Sequence, residues 1–81
     1  MPHFLVVLTG QGRVDPNGIY RPTTRPFVSK QARVNVESVS RVEDGKIYVK
    51  MQFSPLDKPF EVVFECSETK VQLEELMKGA S

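Results

Sequence analysis

The chain has 81 residues, with one cysteine (Cys66) and one histidine (His3). A structural zinc site takes about four nitrogen or sulfur ligands, so two candidates do not make one. No metal and no other cofactor is expected. A catalytic triad needs a nucleophile, a base and an orienting group within mutual reach. His3 is the sole imidazole and has no Cys or His near it in sequence. Cys66 alternates in phase with Phe60, Val62 and Phe64, the pattern of a small buried hydrophobe. The acids fall at turns (Asp15, Glu43, Asp44, Asp57) or on strand faces opposite apolar residues. The chain is therefore expected not to be an enzyme. One cysteine also excludes an internal disulfide framework, which sets the cytoplasm as the expected compartment. No apolar run approaches the ~20 residues that span a bilayer. No leader pattern of a charged then apolar segment is present, and no membrane association is expected.

Charge is scarce in net but not in distribution. The total is +1. Residues 1–33 carry Arg13, Arg21, Arg25, Lys30 and Arg33 against Asp15 alone, a balance of +4. Residues 34–81 carry the compensating −3. A basic front and an acidic back suit an anionic partner, or self-association of the two ends.

What is present is alternation. Ile47, Val49, Met51 and Phe53 interleave with Lys46, Tyr48, Lys50 and Gln52. Phe60, Val62, Phe64 and Cys66 interleave with Glu61, Val63 and Glu65. A period of two predicts two strands with one apolar face each. The link Ser54–Pro59 holds two prolines and reads as a connection, so the strands pair antiparallel. Lys46 and Lys50 then stand opposite Glu61 and Glu65. After Cys66 the period changes: Leu73, Leu76, Met77 and Ala80 make a helical stripe. Thr69 and Gln72 have capping-box spacing, and Gly79 stands where a left-handed residue ends a helix. So short a helix does not stand alone in water. It is expected to dock on the face of Ile47, Val49, Phe53, Phe60, Val62 and Phe64.

The first half holds the rest of the sheet. Phe4–Leu8 is a continuous apolar run, expected to be a strand buried on both faces. Gly10-Gln11-Gly12 reads as a bend or bulge, since no third glycine and no helix follow. Asp15-Pro16-Asn17-Gly18 is a type I turn signal at the tip of a hairpin. Residues 12–25 form its projecting part, either an ordered hairpin or a mobile basic arm. Phe27–Ser29 is expected to resume strand. Val34, Val36 and Val39 break period two, which predicts a bulge or a helical turn near Asn35–Ser38. Glu43-Asp44-Gly45 is a tight turn.

Arg21-Pro22-Thr23-Thr24-Arg25 has an R-x-x-x-R spacing that resembles the arginine motif of PilZ domains. That resemblance implies a cyclic dinucleotide at Arg21 and Arg25. The family's second motif, D/N-x-S-x-x-G, is not matched by Asn35-Val36-Glu37-Ser38. A wider stretch runs from Arg33-Val34-Asn35-Val36-Glu37-Ser38-Val39 through the turn at Glu43–Gly45 and the strand Ile47–Phe53. It continues through Val62-Val63-Phe64-Glu65-Cys66-Ser67 into the terminal helix. It is similar to the second half of LytTR-type DNA-binding domains and to small flagellar FlbD-like proteins. The match covers about 45 residues, mostly as apolar spacing, and implies topology only. The two prolines of Ser54–Pro59 and the lack of a His-Arg-Ser run before Val34 depart from it.

The expected fold is α+β in a single domain over residues 1–81. An antiparallel, meander-like sheet of about five strands, curled or barrel-like, carries one C-terminal helix. The first functional reading is a small regulatory module that binds a protein partner or self-associates, as a homodimer, through sheet edges. The alternative is nucleic-acid binding by Arg13, Tyr20, Arg21, Arg25, Lys30 and Arg33, with Tyr20 or Phe27 stacking on bases. A further alternative is an anionic small ligand at Arg21 and Arg25.

Overall fold

The computed structural model describes residues 2–23, 26–51, 54–56 and 58–80. The elements in chain order are β1 (His3–Val14), β2 (Tyr20–Pro22), β3 (Lys30–Asn35), a 3-10 turn (Val36–Ser38), β4 (Val39–Glu43), β5 (Lys46–Met51), β6 (Phe60–Cys66) and α1 (Lys70–Lys78). All strand pairs are antiparallel. The architecture is α+β: an open sheet of six strands with one C-terminal helix.

The sheet is a meander only in part. β4, β5 and β6 follow one another, but β6 then pairs with β1, giving the order β2-β1-β6-β5-β4 with β3 also on β1. The first strand is thus inserted next to the last. Leu8 pairs with both Lys30 and Cys66, and Gly12–Val14 pair with both β2 and β6. β2 and β3 therefore share one edge of β1, and β6 takes the other. The base of the hairpin at Gly12–Val14 is thereby built into the sheet on both sides. Its tip follows the expected turn. The Gly18 N–H donates to the Asp15 carbonyl at 2.9 Å, and the Asn17 and Ile19 N–H groups both donate to Asp15 Oδ1 at 3.0 Å. Gly18 has φ +83°, which a side chain would strain.

The Phe4–Leu8 run is buried on one face, not two. Phe4, Val6 and Leu8 are buried, while Leu5 is 52% and Val7 44% exposed. Only one helix is available, and it covers one face. The register shifts between Leu8 and Gly10, a β-bulge that moves Gly10 and Gly12 to the other face, opposite Glu65 and Val63. Phe27–Ser29 does not resume strand: β3 begins at Lys30, and Val28 is 83% exposed. The 3-10 turn at Val36–Ser38 is capped by Asn35, whose side chain accepts the Glu37 N–H at 2.9 Å. Of the expected strand Ile47–Phe53, Gln52 and Phe53 lie outside the described residues. The register sets Lys46 opposite Glu65 and Lys50 opposite Glu61 as the alternation predicts.

α1 starts at a full capping box: Thr69 Oγ1 accepts the Gln72 N–H at 3.2 Å, and Gln72 Oε1 accepts the Thr69 N–H at 2.9 Å. Its end differs from expectation. Gly79 has φ −88°, not a left-handed value. The helix packs most closely on β1 and β4, and its Leu73 shares the core with Ile47 and Cys66, beside which Val49 and Phe64 pack. The short link from Cys66 fixes where it begins. The Gly45 N–H donates to the Glu68 carbonyl at 2.8 Å, and the Lys70 N–H to Asp44 Oδ1 at 2.7 Å. The helix start is thus pinned to the β4–β5 turn, and the helix runs past the end of β6 beside β1. Leu73, fully buried, joins Phe4, Val6, Leu8, Val34, Val42, Ile47 and Cys66 in the core, with Leu76, Met77 and Ala80 packed at its margin.

A second, smaller packing layer lies on the opposite face. Val63 and Tyr48 are buried there although they occupy the phase expected to be polar. The Arg41 guanidinium stacks on the Tyr48 ring at 4.1 Å, and Lys46 Nζ lies 5.1 Å from the Tyr20 ring centre. Long cationic side chains cover apolar surface with their stems and keep their heads in water. Among the described residues, no helix is long and apolar enough to cross a membrane.

Candidate functional site

Of the basic residues of the first half, Arg13 and Arg21 stand opposite each other across β1 and β2, while Lys30 and Arg33 lie apart. Arg13 lies opposite Arg21 and Val62, and its guanidinium is 5.9 Å from the Phe60 ring centre. Arg21 is tied to the hairpin tip, with Nε 3.2 Å from Asp15 Oδ2. Asp15 is held below the ordinary carboxylate range, first by the Ile19 N–H that it accepts, with Arg21 adding to the effect. Lys30 lies opposite Leu8, its Nζ 5.9 Å from the Phe27 ring centre. Arg33 lies opposite Leu5. Leu5 and Leu8 are out of phase, so Arg33 faces the other side of the sheet from Lys30. Arg25 lies outside the described residues.

Tyr20, expected as a stacking surface, is packed instead. Its hydroxyl donates to Glu65 Oε1 at 3.0 Å. Burial, then the Glu65 carboxylate, push its phenol pKa up. The hydroxyl end of its ring lies over Gly12, where an added Cβ would meet Tyr20 Oη at 2.7 Å and Cε2 and Cζ at 2.9 Å. Only glycine leaves room for that ring. Cys66 is buried, and its thiol pKa is raised, chiefly by desolvation. A thiol kept protonated in this way is a poor nucleophile.

A groove lies elsewhere, at the start of β1. β1 begins before β6 ends, so residues Phe4–Val7 pair with β3 on one edge. On their other edge, among the described residues, no strand is paired. Successive residues of a strand aim their N–H and C=O at alternate edges, so this open edge carries both donors and acceptors. α1 runs alongside. Between them lies a groove of about 970 Å³, with Phe4, Leu5 and Arg33 on the strand side and Glu68, Val71, Gln72, Glu75 and Leu76 on the helix side. Val71 is 69% exposed and lies off the buried stripe of the helix. Four strand residues span about 14 Å, and the nine residues of α1 span about the same length.

The outer edges of the sheet are guarded. β3 carries Lys30 and Arg33. β4 has a register shift at Ser40 flanked by Arg41, and β2 is three residues long and ends in proline. Charges, bulges and short length all discourage added strands. The edge at Phe4–Val7 carries no charge and no proline, and the bulge of β1 lies just beyond it, between Leu8 and Gly10. Of the site residues expected from sequence, Arg33 stands in this groove; its other residues were not singled out as a site. The available signals were Leu5 and Val7, apolar but in alternate phase with the core, and Val71, apolar but off the helical stripe. Comparison of the chain with protein-family models, with curated proteins and with solved structures finds no match.

Proposed function

We propose that the chain is a non-enzymatic interaction module that accepts an extended polypeptide segment along Phe4–Val7, against α1. The observation that carries this reading is the open edge of β1 where β6 has ended and a helix stands alongside. Strand addition draws affinity from main-chain hydrogen bonds and specificity from seats for alternate side chains. Leu5, Val71 and Leu76 supply apolar seats. Each main-chain bond nets only ~0.5–1.5 kcal/mol, and a site of this length is small against standard interfaces. Affinity is therefore expected in the micromolar to millimolar range. The alternative of phosphate or nucleic-acid recognition has less support, because Arg21 is engaged by Asp15 and Arg33 faces away from Lys30. The chemistry of Cys66, buried and held as a thiol, supports binding over catalysis.

The test is amide exchange by NMR, with the intact chain and segments selected from a displayed random-peptide library. Binding is expected to slow exchange at alternate amides of Phe4–Val7. Val71→Glu, at an exposed helix position, is expected to abolish binding with the fold intact. Protection confined to other strands refutes the reading.

A further inference from the structure

We propose that Asn17 is a site of covalent modification: its side-chain amide is lost through attack by the Gly18 nitrogen, at a rate set by the Asp15 carboxylate. Asn17 and Gly18 are both exposed at the tip of the β1–β2 hairpin. A Cβ added at Gly18 would meet nothing within 4 Å, so the space beside its nitrogen is open. The residue after an asparagine governs this reaction, because its side chain crowds the five-membered ring that forms, and glycine has none. Gly18 N gives its proton to solvent base and bonds to Asn17 Cγ. The Cγ–Nδ2 bond breaks, and Nδ2 leaves as ammonia. Water then opens the cyclic imide. Attack at Cγ leaves aspartate; attack at the main-chain carbonyl leaves isoaspartate, whose main chain runs through Cβ and Cγ. Water is the sole co-reactant, and the net change is amide to carboxylate.

The folded tip holds this reaction back. The Gly18 N–H donates to the Asp15 carbonyl at 2.9 Å, and Asp15 Oδ1 accepts the Asn17 and Ile19 N–H groups at 3.0 Å each. The attacking nitrogen thus has its proton engaged, and the main chain on both sides of it is clamped. Attack needs a local opening that breaks these bonds, and hydrogen bonds to a carboxylate are the stronger kind. The chain's other asparagine supplies the contrast. Asn35 precedes β-branched Val36, whose N–H donates to the Pro2 carbonyl at 3.1 Å, and the Asn35 side chain accepts the Glu37 N–H at 2.9 Å. Isoaspartate in place of Asn17 lengthens a tip whose length sets the β1–β2 register, and β2 has only three residues to hold it.

The experiment incubates the intact chain, Asp15→Ala, Asn17→Gln and a synthetic peptide of residues 13–21 at mildly alkaline pH. Proteolysis and mass spectrometry locate the new acid, and methyl transfer by a purified isoaspartyl methyltransferase counts the isoaspartate. The intact chain is expected to convert at Asn17 and not at Asn35, and Asn17→Gln to stay unconverted. Asp15→Ala is expected to convert about 10-fold faster than wild type, and the peptide at least as fast as that variant. Circular dichroism checks that Asp15→Ala keeps the sheet. If it does not, Asp15→Ser, which keeps an acceptor without the charge, is read in its place and is expected to be faster than wild type. Equal rates for wild type and the folded Asp15 variant overturn the role of the carboxylate. An intact chain that keeps its amide while the peptide loses it, or that converts first at Asn35, overturns the site.

Discussion

Gly12→Ala is expected to change sign with the residue that covers it. An alanine Cβ at position 12 would sit 2.7 Å from Tyr20 Oη, against the 3.4–4 Å of ordinary contact. The ring must withdraw, and its hydroxyl is held by Glu65 at 3.0 Å with Lys46 above the ring. Overpacking of this kind costs ~1–3 kcal/mol. The lower entropy of an alanine-containing unfolded chain offsets ~0.4–1 kcal/mol of it, because Gly12 is not among the glycines of positive φ. The net is a loss of roughly 0–2.6 kcal/mol, centred near 1.3 kcal/mol, or about 5–10 °C in Tm at that centre for a domain of this length. In a Tyr20→Ala background the clash is gone and only the entropic gain remains, so Gly12→Ala is expected to raise Tm by a few degrees. Thermal and urea unfolding of the four chains in this cycle, followed by circular dichroism, measures the coupling. Equal effects of Gly12→Ala in both backgrounds refute the placement of the ring on the glycine.

Leu73→Ala, at the centre of the core, is expected to cost about 3–5 kcal/mol. That is a large share of the ~4–12 kcal/mol available to a chain of this size, and urea midpoints read it directly. Thr69→Ala removes the acceptor of the helix cap and is expected to cost about 1 kcal/mol by the same assay. Asp15 titrates below its ordinary value in the folded chain, so its contribution is complete above pH ~3.8 and is lost as pH falls through the lower folded value. Asp15→Asn is therefore expected to be less stable than wild type near neutral pH and to converge with it in acid. A stability gap between the two that persists unchanged at about pH 2 contradicts this.

Much of the local structure was legible because it depends on neighbours in sequence. Period two marks β5 and β6 and fixes the order of Lys46–Glu65 and Lys50–Glu61, since a one-residue slip would expose every apolar group. The change of period after Cys66, with Thr69 and Gln72 at cap spacing, marks the helix. Asp15-Pro16-Asn17-Gly18 marks its turn through side-chain bonds that span four residues. The candidate basic site was legible only as composition. Arg13 and Arg21 meet only through the pairing of β1 with β2, and the pleat sends Lys30 and Arg33, three apart on β3, to opposite faces.

The sequence by itself determined the strands β5 and β6 and their core-facing set, the turn at Asp15–Gly18 and the capped helix after Cys66, because those follow from backbone sterics and side-chain period. Only the tertiary structure decided that the first strand inserts beside the last, that a bulge after Leu8 turns Gly10 and Gly12 under Tyr20, and that α1 lies across β1 and β4. Strand partners far apart in the chain are chosen by which whole arrangement buries the most apolar surface, a sum over the molecule that no local pattern contains. The groove at Phe4–Val7 belongs to that second class: it exists because β6 stops at Cys66 while β1 continues, a mismatch of two strands that becomes visible only once they are paired.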